Sequence, residues 1–332
     1  MSIKEKVARP ATSLDVARLA GVSRTTVSSI LNGDEARFPE ATRDRVRVAA
    51  ARLNYRPSSA GRSLVRGRSD TIVIALPNST FGNNLQDAVD EVVALTQPYS
   101  GNVVVGFASA TPSQTVAALR ALRPLAVLNF GALSSADTTA LEDSGTIVVP
   151  AVRGTSTSQT ISDGGIGQFQ ADALLQGGKR ALWFAALSDS RPDPYGDVRF
   201  AALRAYCRDR QLPVPRRIDV PLTLEGSVGA LRSVVSTGEP AGVVCFNDEV
   251  ALAILAAARE MSVPVPDRIS VIGVDHIAAG QFWAPRLTTV EIDIRGVVRD
   301  LAEELKERLA GGDPSPSESA NLHFRLVQGG TI

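Results

Sequence analysis

At roughly 100–200 residues per domain, a chain of 332 residues suggests two or three compact units, and an apolar content of 44 % is enough for a sizeable core. It contains no run of about 18 apolar residues and its first ten residues lack an apolar signal core, so no membrane span or secretory signal is expected and the sequence reads as cytoplasmic. The two cysteines, Cys207 and Cys245, fall in segments that read as core helix and core strand, without metal or redox spacing. The net charge of zero conceals an asymmetry. Residues 1–68 hold 14 Lys+Arg against 6 Asp+Glu, and the remainder 21 against 29. A basic small unit ahead of an acidic large one is the charge pattern of a nucleic-acid-binding arm on a larger body.

The basic segment is patterned rather than a structureless tail. Thr12 followed by Asp15 is a capping-box signal, after which Val16, Leu19 and Ala20 recur at helical spacing. Gly21 supplies the break of a tight helix–helix turn. Ser23 can cap a second helix whose apolar face is Val27, Ile30 and Leu31. Arg24, Thr25, Ser28 and Ser29 are left on the outward face, near the helix start. The first residues of a recognition helix are the ones that reach base edges in the major groove. Asn32-Gly33 ends that helix. A third helix is expected from about Glu40 to Leu53, after Pro39. Val46, Ala49, Ala50 and Leu53 face inward, and Arg43, Arg45, Arg47 and Arg52 are placed to meet phosphates.

A helical pair joined at a glycine is by itself a weak signal. The strings Asp15-Val16-Ala17, Ala20-Gly21-Val22-Ser23, Thr26-Val27-Ser28, Leu31-Asn32-Gly33, Thr42-Arg43 and Asn54-Tyr55-Arg56-Pro57 are stronger, because they fall in one continuous register. In that register residues 12–68 resemble the lactose-repressor family of bacterial transcription regulators. The resemblance implies DNA contacts by Thr12, Ser23, Arg24, Thr25, Thr26, Ser28, Ser29, Asn32, Tyr55, Arg56, Ser59, Arg62 and Leu64. It also implies that Pro57–Arg66 forms a hinge helix on operator DNA, paired with its dimer mate in the minor groove. Leu64 there would be an apolar wedge between base pairs, a device that unstacks a step and kinks the duplex. Arg66 and Arg68 suit neighbouring phosphates.

Three departures stand out. Position 29 is Ser where family members commonly carry a base-reading Arg, which shifts the expected readout to Arg24 and Thr25. Arg to guanine is the commonest specific contact. Gly61 lies inside the hinge, where glycine costs about 0.5–1 kcal/mol relative to Ala. Ser13 and Leu14 reverse the usual apolar and polar order at the first helix.

Beyond Asp70, short apolar runs alternate with helical stretches. Strands are expected at Thr71–Leu76, Asn102–Phe107, Leu125–Phe130, Thr146–Val149, Arg180–Ala186, Gly242–Phe246 and Ile269–Val274. Helices are expected at Leu85–Leu95, Val198–Arg210, Glu249–Met261 and Gly296–Leu309. This alternation predicts parallel sheets covered by helices, in two doubly wound lobes, with ligand at the carboxyl ends of the strands. No dinucleotide or P-loop glycine motif follows a strand. Gly164-Gly165-Ile166-Gly167 reads as a loop. His276 and His323 have no metal-ligand spacing, and no nucleophilic triad is apparent, so neither a cofactor nor catalysis is expected.

These lobes also resemble the family's effector domain, which is like periplasmic sugar-binding proteins. The matching strings are Arg199-Phe200-Ala201-Ala202, Cys245-Phe246-Asn247-Asp248-Glu249-Val250-Ala251, Val271-Ile272-Gly273-Val274-Asp275 and Leu287-Thr288-Thr289-Val290. The resemblance implies effector contacts by Arg199, Asn247 and Asp275, with Asp248 beside them. Arg forks and carboxylates pair the vicinal hydroxyls of a sugar in a cleft. Asn247 and Asp248 could equally cap the following helix. Asn78 and Phe81 lie on the first strand's exit loop, and Asp163 stands near the family's usual aspartate. Trp283 would either stack on a sugar ring or fill core. Lys179 stands where the family often has His.

The sequence therefore predicts three parts: a helix-turn-helix domain over 1–57, a hinge and linker over 58–69, and a two-lobed effector and dimerisation domain over 70–332. The expected protein is a homodimeric repressor on a pseudo-palindromic operator, controlled by a small effector such as a sugar or sugar derivative. Its dimer surface would lie on the first lobe and include Leu85–Leu95. The alternatives are a sugar-binding transport protein, a sugar-processing enzyme, and a constitutive DNA-binder with a vestigial pocket.

Overall fold

The computed structural model describes residues 11–31, 35–55, 69–77, 84–99, 102–109, 111–151, 165–179, 181–188, 195–312 and 324–332. Asn32, Arg56, Ser59, Arg62, Leu64, Asn78, Phe81 and Asp163 lie outside these residues, as does the expected hinge. The chain divides into two compact units, 1–70 and 71–332.

The first unit is three helices: α1 (Ser13–Ala20), α2 (Arg24–Leu31) and α3 (Glu40–Arg52). The capping box forms. Thr12 Oγ1 accepts from Asp15 N at 3.4 Å, and Asp15 Oδ2 accepts from Thr12 N at 2.9 Å. Gly21 ends α1 at φ 64, in the left-handed region where glycine carries no Cβ penalty. Ser23 Oγ accepts from Thr26 N at 3.0 Å and so caps α2. The core is Val16, Ala17, Ala20, Val27, Ile30, Val46, Ala49 and Ala50. Leu19, expected on the inner face of α1, is 46 % exposed. Ala17 is buried on that side of α1 instead.

The second unit contains two sheets. The first has four parallel strands in the order β2-β1-β3-β4: β1 (Thr71–Leu76), β2 (Asn102–Phe107), β3 (Ala126–Asn129) and β4 (Ile147–Val149). Ile72, Ile74 and Leu76 share one hydrophobic cluster with Ala88 and Val92 of α4 (Asn84–Thr96). Val73 and Ala75 pack in another with Leu119 of α5 (Pro112–Leu122) and Leu141 of α6 (Ser135–Glu142). Continuous apolar β1 is thus buried on both faces, as a central parallel strand should be. Edge strand β2 is not: Val104, Val105 and Phe107 are all exposed.

The second sheet has six strands in the order β10-β9-β8-β7-β5-β6. Their ranges are β5 (Ala181–Leu187), β6 (Arg216–Val220), β7 (Ala241–Cys245), β8 (Ile269–Val274), β9 (Thr288–Ile292) and β10 (Phe324–Val327). All neighbours are parallel except β10, which runs antiparallel to β9. Helix α7 (Ile166–Gln176) leads into β5, helices α8 (Gly196–Asp209), α9 (Leu224–Val235) and α10 (Asp248–Glu260) connect the following strands, and short α11 (Ala278–Gln281) follows β8.

After β9 the chain returns to the first sheet as α12 (Ile294–Leu309), which packs on α4. Arg295 bridges to Asp87 at 2.8 Å and to Glu91 at 3.3 Å. Arg308 pairs with Glu142 at 2.7 Å and donates to the carbonyl of Val148 at 2.5 Å. β10 then belongs to the second sheet again, so each lobe is assembled from separated pieces of chain.

Candidate DNA-reading face and effector cleft

On the first unit, Arg24, Thr25 and Ser28 are exposed along α2, with Ser29 and Thr26 half-buried. The Thr12 hydroxyl is engaged in the capping box, donating to Asp15 Oδ2 at 2.6 Å. Ser23 Oγ lies 2.6 Å from Thr25 Oγ1 and 2.8 Å from Thr26 Oγ1, a chain of hydroxyls at the start of α2. Tyr55 packs half-buried on the helical core. Two arginine contacts tie this face to residues outside α2. Arg24 Nε donates to Ser13 Oγ at 3.1 Å, and Arg37 Nη2 donates to Ser29 Oγ at 3.4 Å. Arg47, expected beside phosphates, is paired with Glu35 at 2.7 Å.

On the second unit, the exits of β7 and β8 carry Asn247, Asp248 and Asp275, and the first turn of α8 carries Arg199. Arg199 is 8 % exposed. Its Nη1 donates to the Phe246 carbonyl at 2.7 Å, and its guanidinium sits 5.1 Å and 5.8 Å from the ring centres of Phe246 and Tyr195. Its Nε is buried without a hydrogen-bond partner. A buried donor of that kind is costly unless a further acceptor meets it.

Asp275 follows β8 at φ 101, and His276 at φ 51. Burial raises the Asp275 carboxyl pKa, against the opposing pull of the Arg199 charge and a hydrogen bond from Asn84. That bond, Asn84 Nδ2 to Asp275 Oδ1 at 2.9 Å, joins the first residue of α4 in one lobe to the β8 exit of the other. The Tyr195 hydroxyl makes a second link between lobes, donating to the Phe130 carbonyl at the end of β3.

Asn247 caps α10, its Oδ1 accepting from Val250 N at 2.9 Å. Asp248 is fully buried and differs from the expected effector contact. Its Oδ1 accepts from Thr289 Oγ1 at 2.5 Å and its Oδ2 from Ile277 N at 2.8 Å, so its carboxylate holds protein groups. Burial pushes its pKa up to about 7, with the Asp275 charge adding to the rise and hydrogen bonds from Thr289 and from the backbone at Ile277 and Val274 opposing it. Trp283 is half-buried against the hydrophobic core, and Lys179 donates to the Asp267 carbonyl at 2.8 Å.

Gln170 of α7 was not legible from the sequence as a site residue. It is fully buried, and its Nε2 lies 3.0, 3.3 and 3.2 Å from the carbonyl oxygens of Cys245, Ile272 and Gly273. It therefore ties α7 to the exit ends of β7 and β8. A buried amide in an otherwise apolar helix face is the signal that could have singled it out. Asn84 and Tyr195 carry no comparable pattern.

A helix-turn-helix unit followed by a two-sheet cleft domain defines a ligand-responsive DNA-binding regulator. Residues 12–58 match bacterial regulatory proteins of the lacI family, and residues 171–332 match the periplasmic binding protein-like domain. The HTH-type transcriptional repressor PurR of Vibrio parahaemolyticus is 30 % identical over 322 residues, covering 90 % of this chain and 92 % of that protein. The repressor of the same name from Vibrio atlanticus is 28 % identical, covering 97 % and 98 %. Among solved structures, the lac repressor dimer bound to operator and the anti-inducer ONPF superposes with a TM-score of 0.77 at 24 % identity, covering 97 % of this chain and 99 % of that one. The transcriptional regulator CelR in complex with cellobiose superposes at 0.61 with 20 % identity, covering 97 % and 100 %. The chain belongs to the lacI family of bacterial regulatory proteins and is a transcriptional repressor of that type, not an enzyme. Among the described residues no helix is long and apolar enough to cross a membrane.

Proposed function

We propose that this repressor acts in the cytoplasm as a homodimer on a pseudo-palindromic operator, released or recruited by a small polar effector bound between the lobes, with a sugar or sugar derivative as the favoured class. The observation that carries the effector reading is the convergence of Arg199 and Asp275 at the strand exits, with Asn84 reaching Asp275 from the opposite lobe. An arginine with an unmet buried N–H beside a carboxylate suits a ligand that both donates and accepts, as vicinal hydroxyls do. The rings of Tyr195 and Phe246 flank the guanidinium and add flat apolar surface. Asn247 serves the site as the cap of α10, and Asp248 as the support of the Asp275 turn.

The dimer reading is supported by the exposed Val104, Val105 and Phe107 on edge strand β2, with Val93 of α4 and Tyr99 beyond it also exposed. An unpaired edge with apolar side chains is covered in native proteins rather than left in water. The DNA reading assigns major-groove contacts to Arg24, Thr25 and Ser28, and keeps the boundaries 1–57, 58–69 and 70–332 for reading head, hinge and effector domain.

Thermal unfolding of the full chain against mono- and disaccharides, sugar phosphates and nucleobases tests the effector. A saturable rise in midpoint with a sugar, abolished by Asp275→Ala, supports the assignment. A rise with nucleobases alone would replace the sugar, and no rise with any compound would leave a constitutive DNA-binder. Selection of bound duplexes from random-sequence DNA, with and without the stabilising compound, tests the operator.

A further inference from the structure

We propose that Ser13 is a positioning residue for DNA reading: its hydroxyl holds Arg24 so that the guanidinium meets the major groove end-on. This rests on the reading of Arg24 as a base-contacting residue. Ser13 is the first residue of α1 and Arg24 the first of α2. They are eleven positions apart, yet Arg24 Nε donates to Ser13 Oγ at 3.1 Å. The turn at Gly21 brings the starts of the two helices together and makes the contact possible.

The choice of nitrogen has a consequence. A guanidinium can grip guanine O6 and N7 either with both terminal nitrogens or with Nε and one terminal nitrogen. With Nε given to Ser13, only the end-on grip remains. The plane of the fork is then set by α1 rather than by the rotamers of a long exposed side chain. Such a side chain loses rotamer entropy on binding unless it is already held. Ser13 does not cap α1, since Thr12 does, so its hydroxyl is not needed for the helix. Leu14, its neighbour, is 46 % exposed and offers no polar group to replace it.

The test uses the full chain and the duplex that the wild type selects from random-sequence DNA. Affinities for that duplex, for versions with each guanine of a half-site replaced, and for an unrelated duplex are measured for Ser13→Ala, Ser13→Thr, Arg24→Ala and Ser13→Ala with Arg24→Ala. Ser13→Ala is expected to lower the ratio of selected to unrelated affinity about fivefold, the scale of one ordinary solvent-exposed hydrogen bond. The loss should disappear on one guanine replacement. Ser13→Thr should restore the ratio to within about twofold, because it keeps the hydroxyl. The double variant should match Arg24→Ala alone. An unchanged ratio in Ser13→Ala overturns the proposal. Equal loss on both duplexes, or additive losses in the double variant, overturns it in favour of a separate contact by the hydroxyl. If Arg24→Ala itself leaves the ratio unchanged, Arg24 is not a reader, and that arm identifies the failure as one of the underlying reading. Unfolding midpoints of the variants show whether α1 is intact.

Discussion

The Thr289 hydroxyl donates to Oδ1 of Asp248 at 2.5 Å, joining β9 to the first residue of α10. The other carboxylate oxygen accepts from Ile277 N, two residues beyond Asp275. One buried side chain thus fixes the turn that presents Asp275 and the strand that leads back into the first lobe. The turn needs such support, because Asp275 and His276 both hold positive φ, a conformation that costs non-glycine residues on the order of 1–3 kcal/mol.

Stability should fall with rising pH because of this carboxylate. An aspartate in the unfolded chain titrates near 3.8, and Asp248 in the native state titrates near 7. Between these values the native protein holds a proton that the unfolded chain has lost. The native state binds more protons there, so unfolding free energy declines as pH rises from about 4 to about 7 and is flat beyond both limits. Each unit of separation is about 1.4 kcal/mol. Asp248→Asn removes this titration. Urea unfolding of both proteins from pH 4.5 to 8 should show wild-type stability dropping relative to the variant up to pH 7, and a difference independent of pH would refute the assignment.

Gly273→Ala should be among the most damaging single changes in the second lobe. A Cβ there would lie 2.0 Å from Asp248 Oδ1, inside any tolerable contact, and a tight 3.1 Å from its Cγ. Overpacking of this kind costs about 1–3 kcal/mol and more where nothing can move. Asp248 cannot yield without releasing Thr289 and Ile277. Paired with Asp248→Ala, the glycine substitution should cost much less than it does alone, because the clashing atom is gone. Additive costs in the denaturation cycle would show that the strain lies elsewhere.

The reading of the fold from sequence succeeded where patterning is strong. The helix-turn-helix was legible because Thr12, Gly21 and Ser23 each impose a local geometry. The parallel core strands were legible because continuous runs such as Thr71–Leu76 are buried on both faces. Strand β6, Arg216–Val220, was missed because its alternation is dominated by charges, with Ile218 and Val220 as its inward residues. β9 was noticed only as a matching string, and β10 not at all, since its four residues are a short run and its place depends on antiparallel pairing with β9. Within the cleft, the resemblance pointed to Arg199 and Asp275, and the structure places both at the strand exits. Asn84 was not legible, because its meeting with Asp275 spans 191 positions. Asp248 was placed in the right neighbourhood with the wrong partners, because only tertiary structure puts Thr289 and Ile277 around it.

Gln170→Met should destabilise the second lobe by about 2 kcal/mol although it keeps size and shape. The amide group reaches the carbonyls of Cys245, Ile272 and Gly273, and a thioether gives none of them a donor. Buried acceptors left unmet cost about 1–3 kcal/mol in total for such a group. Gln170→Glu should be worse, since an ionised carboxylate would face three carbonyl oxygens without any donor. The order Gln, Met, Glu in urea midpoints checks this, and a Glu variant as stable as wild type would contradict it.

Asn84→Ala and Tyr195→Phe should together open the cleft. Each removes one hydrogen bond between the lobes, Asn84 to Asp275 and Tyr195 to the Phe130 carbonyl, and phenylalanine keeps the ring that Tyr195 packs in the core. At about 1 kcal/mol each, the pair would move the balance of closed and open arrangements by about thirtyfold. The Asp275 carboxyl would also lose a donor that favours its ionised form, so its pKa should rise further in Asn84→Ala. Small-angle scattering of the double variant should give a larger radius of gyration than wild type, with faster amide exchange at Gly131 and Ala132, just beyond β3. Unchanged scattering and exchange would mean that these two hydrogen bonds do not hold the lobes together.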